Sequence, residues 1–195
     1  MNFKSLSIVN CQLSITLVVL CSGVLRAQPL PLDERGKVSF YEVVRADSMK
    51  AGVLYANAKT WLLAGNYVLV EADSAAGRLV ASRALAVYDK GYVTKKLHGK
   101  VHYRLTLEVK EQKYRYQFTD FVFAYYKENR YYRMVPADKS KDLAETTAPG
   151  WQNLWQKHRM NAQLEVEEDI RQLKTAALVR PKAAGEPARK SEESW

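Results

Sequence analysis

Aromatic and basic residues are concentrated in one short stretch of the chain. Residues 113–133, KYRYQFTDFVFAYYKENRYYR, contain nine aromatic rings and five Lys or Arg side chains. A single-strand nucleic-acid surface uses this mixture, because bases stack on rings and phosphates bind Lys or Arg. The same residues also suit a β-strand that buries its rings on one face and exposes its cations on the other. The two hypotheses differ in where the rings lie, since only a nucleic-acid surface needs them on the open face.

Other residue types that carry chemistry show no recognisable spacing. His98, His102 and His158 form no HExxH or other metal-ligand set, and the chain has no GxSxG elbow and no glycine-rich phosphate loop. Paired carboxylates can hydrolyse sugars without a motif, but the acidic run 165–169 favours a solvated helix face and Asp120 favours a β-bulge. We therefore expect a protein that is not an enzyme and has no metal or cofactor. A hydrolase that uses acidic residues is the alternative.

The N-terminus predicts export. Lys4 precedes a mostly apolar run at residues 13–25, LSITLVVLCSGVL, and Ala27 is a small residue at a suitable cleavage position. A transmembrane helix needs about 20 apolar residues, more than this run contains. We expect residues 1–27 to be a signal peptide cleaved after Ala27, with lipidation at Cys21 as the alternative. The mature protein would then be periplasmic or secreted.

Cleavage would also change the composition of the chain. Cys11 and Cys21 are its two cysteines, so the mature protein would have no disulfide and no thiolate metal site. The loss of Lys4 and Arg26 would lower the formal net charge from +9 to +7. This charge favours an acidic partner. Export argues against nucleic acid as that partner, and we expect no membrane-spanning segment in the mature chain.

A strand and a helix are predicted to open the folded part of the chain. Residues 28–36 carry two prolines and predict an extended lead-in, and residues 38–44 have the β-branched and aromatic content of a strand. Asp47 or Ser48 then offers an N-cap for a helix that ends at Gly65. Its apolar residues recur at helical spacing, which predicts that the helix covers a sheet.

Further short strands are predicted along the same domain, which we place at residues 37–135. Strands are expected over residues 67–72 and 78–88, whereas the lysine-rich residues 89–100 predict a loop or a poorly specified strand. One more short strand is expected just before Pro136. The polar residues 136–150 predict a loop.

The clearest pattern is a hairpin with one buried and one open face. Apolar and polar residues alternate over residues 101–109 and again over 113–119, with a turn at Glu111 and Gln112. This register puts the rings of the second strand on the buried face, and Lys113 and Arg115 on the open face. The separation favours a strand over a nucleic-acid surface. A bulge in the apolar run that follows would change the face that the strand presents.

The C-terminal region predicts a long helix. From Trp151, apolar residues recur at spacings of three and four, which predicts a helix over residues 151–179 that packs on the domain. Residues 180–195 are rich in proline, small residues and charge, a composition typical of disorder. Together the elements predict an α+β fold, with an antiparallel sheet of five or six strands covered on one face by the two helices.

Four stretches resemble a known family. GKVSFYEVV, LYANAKTWL, GRLVASRAL and VHYRLTLEVKEQKYRYQFTDF are similar to the domain of unknown function 4468 family, exported bacterial proteins typical of Bacteroidota. The resemblance covers roughly residues 36–124 and implies a TATA-binding-protein-like fold and export. The family has no assigned activity, so the resemblance implies no catalytic residue. Such a fold does not by itself imply DNA binding.

The open face is the predicted binding surface. Its cations would attract an acidic envelope component or a protein partner, unless they only keep an exposed sheet soluble. Beyond the expected bulge there are more tyrosines than a core can bury. We predict six binding residues: Arg104, Lys113, Arg115, Tyr126, Tyr131 and Tyr132. The expected function is that of a non-catalytic envelope module, either binding or structural.

Overall fold

The chain folds as strand, helix, five strands and a final long helix. A computed structural model describes residues 29–90 and 95–180, so the predicted signal peptide and the predicted disordered tail beyond Arg180 lie outside the described residues. The elements are β1 (Phe40–Arg45), α1 (Ala51–Ala64), β2 (Val68–Asp73), β3 (Arg78–Lys90), β4 (Lys95–Lys110), β5 (Lys113–Glu128), β6 (Met134–Asp142) and α2 (Gln152–Ala177).

All described strands join one antiparallel sheet in the order β1-β5-β4-β3-β2, with β6 also paired to β5. The 16-residue strand β5 is long enough to hold two neighbours on the same edge. β1 lies beside its first half, from Arg45 opposite Lys113 to Phe40 opposite Phe118. β6 lies beside its second half. The predicted α+β sheet with two covering helices is confirmed.

The hairpin between β4 and β5 has the predicted register. Lys110 pairs with Lys113 across a two-residue turn, in which Gln112 adopts a φ of 58°. Tyr114, Tyr116 and Phe118 are all buried, which confirms that these rings belong to the core. Each such ring removed from water contributes about 1.5–3 kcal/mol.

A bulge at Asp120 keeps the rings of β5 on one face. The pairing of β5 with β4 shifts between His102 and Arg104, and Asp120 has a φ of 58°, a conformation that Asp tolerates well. The extra residue reverses the alternation, so Phe121 and Phe123 are buried on the same side as the preceding rings. The bulge expected in this run is confirmed.

The predicted start of α1 is wrong because tertiary contacts decide it. α1 starts at Ala51 rather than at Asp47 or Ser48, and no side chain caps it. The preceding turn instead bonds to the β4–β5 hairpin, with the amide of Gln112 donating to the carbonyl of Met49. Of the two alternatives left open for residues 89–100, the described residues show the strand, since β3 continues to Lys90 and β4 begins at Lys95.

The strand β6 also replaces part of a predicted loop. Residues 136–142 lie in β6, although their polar sequence predicted a loop over 136–150. β6 is an edge strand whose residues are largely exposed, so it lacks the apolar alternation that marks a half-buried strand. Pro136 is tolerated there because edge strands have unpaired positions.

Candidate functional site: the open face of the sheet

α1 and α2 pack on one face of the sheet, which we call the covered face, and the opposite side is the open face. Strand register places side chains of adjacent strands in rows across this open face. The first row joins Arg45 of β1, Lys113 of β5 and Lys110 of β4. We call these three residues the cationic row. All three side chains are exposed, and neighbouring residues in such a row lie about 5 Å apart.

Among the described residues the cationic row forms no close ion pair, although the hydrogen bond from Arg115 and, to a smaller degree, the charge of Lys110 contribute to lowering the pKa of Glu108. Within residues 29–90 and 95–180, none of its three side chains forms an ion pair. Glu111 follows Lys110 in the chain, but its Oε1 accepts a hydrogen bond of 3.3 Å from the amide of Ala51 at the start of α1. A carboxylate is favoured at that position by the helix dipole. The nearest acid in sequence is therefore engaged elsewhere.

Other cations of the open face do have carboxylate partners. The pairs are Arg115 with Glu108 at 2.6 Å, Arg104 with Asp120 at 3.5 Å, and Arg78 with Glu71 at 3.5 Å. The hydrogen bond from Arg115, together with its charge, lowers the pKa of Glu108. These exposed pairs contribute little to stability. The cationic row differs from these three arginines in having no ion pair within the described residues.

A shallow groove of about 210 Å³ lies beside the cationic row. It is lined by the cations Lys110, Lys113 and Arg115 and by Tyr41 and Val43 of β1. The remaining lining residues are Glu108 and Tyr114. Tyr41 and Val43 are 56% and 49% exposed. An anionic group could meet the ammonium groups here while an attached apolar or ring-shaped group contacts Tyr41.

A larger groove of about 1000 Å³ lies beside β5, between the first residue of β1 and the last residue of β6. Its acids are largely engaged. Asp33 Oδ1 accepts two backbone amides of its own turn, Asp120 pairs with Arg104, and Asp142 pairs with Lys37. These contacts fix the lead-in against the sheet.

The six predicted binding residues fall into two separate groups. Lys113 and Arg115 line the groove on the open face, whereas Arg104 lies on the same face opposite Thr119, about 20 Å further along β4. Tyr126 lies at the far end of that face, where the ammonium of Lys100 is 5.5 Å from its ring centre. Lys113 and Tyr126 are 13 residues apart on one strand, about 40 Å at the usual rise per residue. The structure therefore does not bring all six together.

Tyr131 and Tyr132 lie in the turn between β5 and β6. Tyr132 is 87% exposed, and the guanidinium of Arg130 is 4.7 Å from the ring centre of Tyr131. The carboxamide of Asn129 holds this turn by accepting the amides of Tyr131 and Arg133. The prediction that the tyrosines here exceed what can be buried is confirmed; a binding role for them stays a prediction.

Sequence reasoning missed Arg45 and Tyr41 as members of the site. Both lie on β1, and their place depends on β1 pairing with the first half of β5. The alternation of β1 shows that these residues share a face, but no local pattern identifies the neighbouring strand. The hairpin register places Lys110 on the open face, directly opposite Lys113.

One acid of the run 165–169 is buried, contrary to the prediction that the whole run is solvated. Asp169 is only 5% exposed. Its carboxylate accepts two hydrogen bonds of 2.6 Å from Arg83, one of 3.0 Å from the hydroxyl of Tyr103, and one from the hydroxyl of Tyr67. Burial raises the pKa of both tyrosines. Because its acceptor positions are filled, Asp169 serves here as an anchor that fixes α2 on the sheet.

A second polar contact fixes α2 near its N-terminal end. His98 Nδ1 lies 2.8 Å from His158 Nε2, and the rings of Phe123 and Trp151 pack around the pair. Burial, and then the neighbouring His98, lower the pKa of His158 to about 4. His158 is therefore a packed neutral histidine at neutral pH. Across the described parts of the chain, no three His, Asp or Glu residues are grouped as metal ligands.

None of the helices in the described residues is both long enough and apolar enough to cross a membrane. The six-stranded sheet with both helices on one face defines the class of the protein: an α+β domain of the TBP-like kind. Residues 40–124 match the family described as a domain of unknown function (DUF4468) with a TBP-like fold. The matched residues run from the start of β1 through most of β5.

Two crystal structures share the fold. A TBP-like protein from Parabacteroides distasonis matches with a TM-score of 0.59 and 12% identity, over 79% of this chain and 100% of that one. A DUF4468 family protein from Bacteroides ovatus matches with a TM-score of 0.53 and 17% identity, over 79% of this chain and 95% of that one. No curated protein matches the chain. These likenesses support the architecture and leave function to be argued from the site.

Proposed function

We propose that this protein is an exported, non-catalytic binding module of the cell envelope that holds an acidic envelope component on its open face. One observation carries the proposal. The cationic row places Arg45, Lys113 and Lys110 side by side without an ion pair in the described chain, while neighbouring arginines on the same face are paired.

Like charges directly opposite each other destabilise a sheet. The row therefore opposes folding slightly, and solubility alone would be served equally well by cations spread over the surface. A bound anion would remove the repulsion and gain attraction from each cation, about 1 kcal/mol per contact at 4 Å in water. The adjacent groove, with Tyr41 exposed in it, would give such a ligand an additional surface.

Binding of a polyanion with a matched charge control tests the proposal. Dextran sulfate is titrated into the purified protein at 50 and 300 mM NaCl by calorimetry, with neutral dextran as a blank. The triple variant Arg45→Gln, Lys110→Gln, Lys113→Gln should bind about tenfold more weakly or worse, a change of about 1.4 kcal/mol or more. High salt should reduce the wild-type affinity, since the contacts are exposed.

The control removes the same charge elsewhere. Lys127, Arg133 and Lys139 are exposed near the turn between β5 and β6, and their triple substitution to Gln should change the affinity less than twofold. Equal losses in the two triple variants would show that net charge, not the cationic row, binds the polymer, and the proposal would fail.

Export is tested separately on the native protein. The N-terminal sequence of the protein recovered from periplasmic and secreted fractions should begin at Gln28. Recovery of the chain from the cytoplasm with Met1 or Asn2 at its N-terminus would overturn the export part of the proposal and leave the binding part standing.

A further inference from the structure

The sheet has three outer strands, and they differ in how they resist pairing with another chain. β6 contains Pro136 and several lysines, which are common protections of an edge. β2 carries a bulge between Leu69 and Glu71, which interrupts its outer edge. β1 has neither device: its pairing with β5 runs without a shift along six residues, FYEVVR.

Within the described residues, the lead-in makes no backbone hydrogen bond to the outer edge of β1 between Phe40 and Arg45. The lead-in pairs back at Val38, opposite Leu32, and at Ser39, whose amide donates to the carbonyl of Pro31. Both contacts precede Phe40, where β1 begins. An unprotected edge with exposed Tyr and Val side chains is a template for strand addition.

We propose that β1 pairs antiparallel with β1 of a second copy of this chain, around a twofold axis that passes beside Val43. Residues directly opposite each other in an antiparallel pair share a face, so the axis must lie at a residue. An axis at Val43 places Val43 opposite Val43 of the second copy, and Tyr41 opposite Arg45 of the second copy.

The strand is better matched in this register than in the one with the axis at Glu42. An axis at Glu42 would place two carboxylates directly opposite each other, which is destabilising. With the axis at Val43, Glu42 instead faces Val44 and remains bound to the ammonium of Lys174 at 2.7 Å. The two Tyr41–Arg45 pairs would add cation–π contacts on the open face.

The resulting dimer would have one continuous sheet of twelve strands with both open faces on the same side. Because an isologous axis relates the two chains, the cationic rows would flank the junction symmetrically. The paired edges are short, so the interface would fall below the standard size of about 1,600 Å². We expect a reversible dimer that forms at high micromolar concentration. This inference goes beyond the proposed function and does not depend on it.

Sedimentation equilibrium between 5 and 500 μM tests the dimer. The wild type should shift from monomer towards dimer over this range, whereas Val43→Glu should stay monomeric, because two carboxylates would then meet at the axis. Val68→Glu is the control, since Val68 is also an exposed valine, at 66% against 49% for Val43, and lies on the edge strand β2. It should dimerise like the wild type. Both variants change exposed side chains, and thermal melts verify that they are folded.

Mixing two oppositely charged variants distinguishes a disrupted interface from general destabilisation of the protein. An equal mixture of the Val43→Glu and Val43→Lys variants should recover the dimer, while each variant alone stays monomeric. Amide exchange should slow over Phe40–Arg45 at high concentration and stay unchanged over Val68–Asp73. A wild type that remains monomeric at 500 μM, a mixture that does not recover, or protection confined to β2 would each overturn the proposal.

The dimer and the anion site can fail independently. The double variant Lys110→Gln, Lys113→Gln leaves β1 unchanged and should dimerise like the wild type while it binds dextran sulfate weakly. Loss of dimerisation in this variant would place the interface on the open face rather than at the β1 edge, and the proposed pairing would be wrong.

Discussion

The covered face and the open face of this sheet hold charge in opposite ways. On the covered face, Asp169 is almost inaccessible, and its oxygens accept hydrogen bonds from Arg83 and two tyrosines. On the open face, Lys110 and Lys113 lie opposite each other without an ion pair in the described chain. An unmatched buried charge is costly, whereas water and salt screen an exposed one. The buried charge therefore stabilises the fold, whereas the exposed charges are available to bind a partner.

The largest effect is expected from Asp169→Ala. The substitution leaves the guanidinium of Arg83 without its 2.6 Å partner and two buried hydroxyls without their acceptor. We expect the free energy of unfolding to fall by about 3–5 kcal/mol, measured by urea denaturation. Glu165→Ala is the control, because its carboxylate lies 3.4 Å from the same arginine but is about half exposed. It should cost less than about 1 kcal/mol, and equal losses would show that burial does not separate these acids.

A smaller loss is expected where the core has no room for a methyl group. A Cβ at Gly99 would overlap the carbonyl of Ala124 and the ring of Phe123, so Gly99→Ala should reduce stability by about 1–3 kcal/mol. At Gly52 in α1 nothing lies within 4 Å of the added atom, and Gly52→Ala should instead stabilise the helix by about 0.5–1 kcal/mol. Thermal melts compare the two. Changes of the same sign would contradict the close packing described around Gly99.

Acid should weaken the covered face through His158. Its pKa is lowered to about 4 in the folded protein, against about 6.5 in an unfolded chain. The unfolded state therefore binds more protons between these values, so stability is complete above pH 6.5 and falls as the pH drops towards 4. We expect a loss of about 2 kcal/mol, measured by urea denaturation at pH 7.0, 5.5 and 4.5.

Two variants test whether His158 causes this pH dependence of stability. His158→Gln should flatten it, while His102→Gln, on the open face, should keep most of it. A His158→Gln protein with the wild-type pH profile would show that other groups carry the acid response.

The smallest effects belong to the open face, and adjacent positions should differ in sign. Lys113→Gln removes a like-charge neighbour from Lys110 and Arg45, so stability should rise by about 0.2–1 kcal/mol at low salt. Arg115→Gln removes the 2.6 Å pair with Glu108, so stability should fall by less than about 1 kcal/mol. Both differences should shrink in 0.5 M NaCl. A loss for Lys113→Gln would mean that the cationic row is neutralised within the chain.

Local periodicity predicted the parts of the fold that depend on near neighbours in sequence. The alternation around Tyr114 and Arg115 specified which face of β5 is buried, and the break after Thr119 indicated the bulge at Asp120. Such signals exist because a half-buried strand must repeat every two residues. β6 gave no comparable signal because its residues are largely exposed, and the polar residues 136–142 were predicted as loop for that reason.

The sequence by itself determined the antiparallel hairpin, the separation of rings from cations on β5, and the presence of a long C-terminal helix. Only the tertiary structure decided that Arg45 joins Lys113 and Lys110 in one row, and that Asp169 lies under the sheet rather than in water. These contacts join distant parts of the chain, such as Tyr67 and Asp169 at a separation of 102 residues. A local pattern shows which face a residue occupies, but the strand or helix that lies beside it is set by how the whole chain packs.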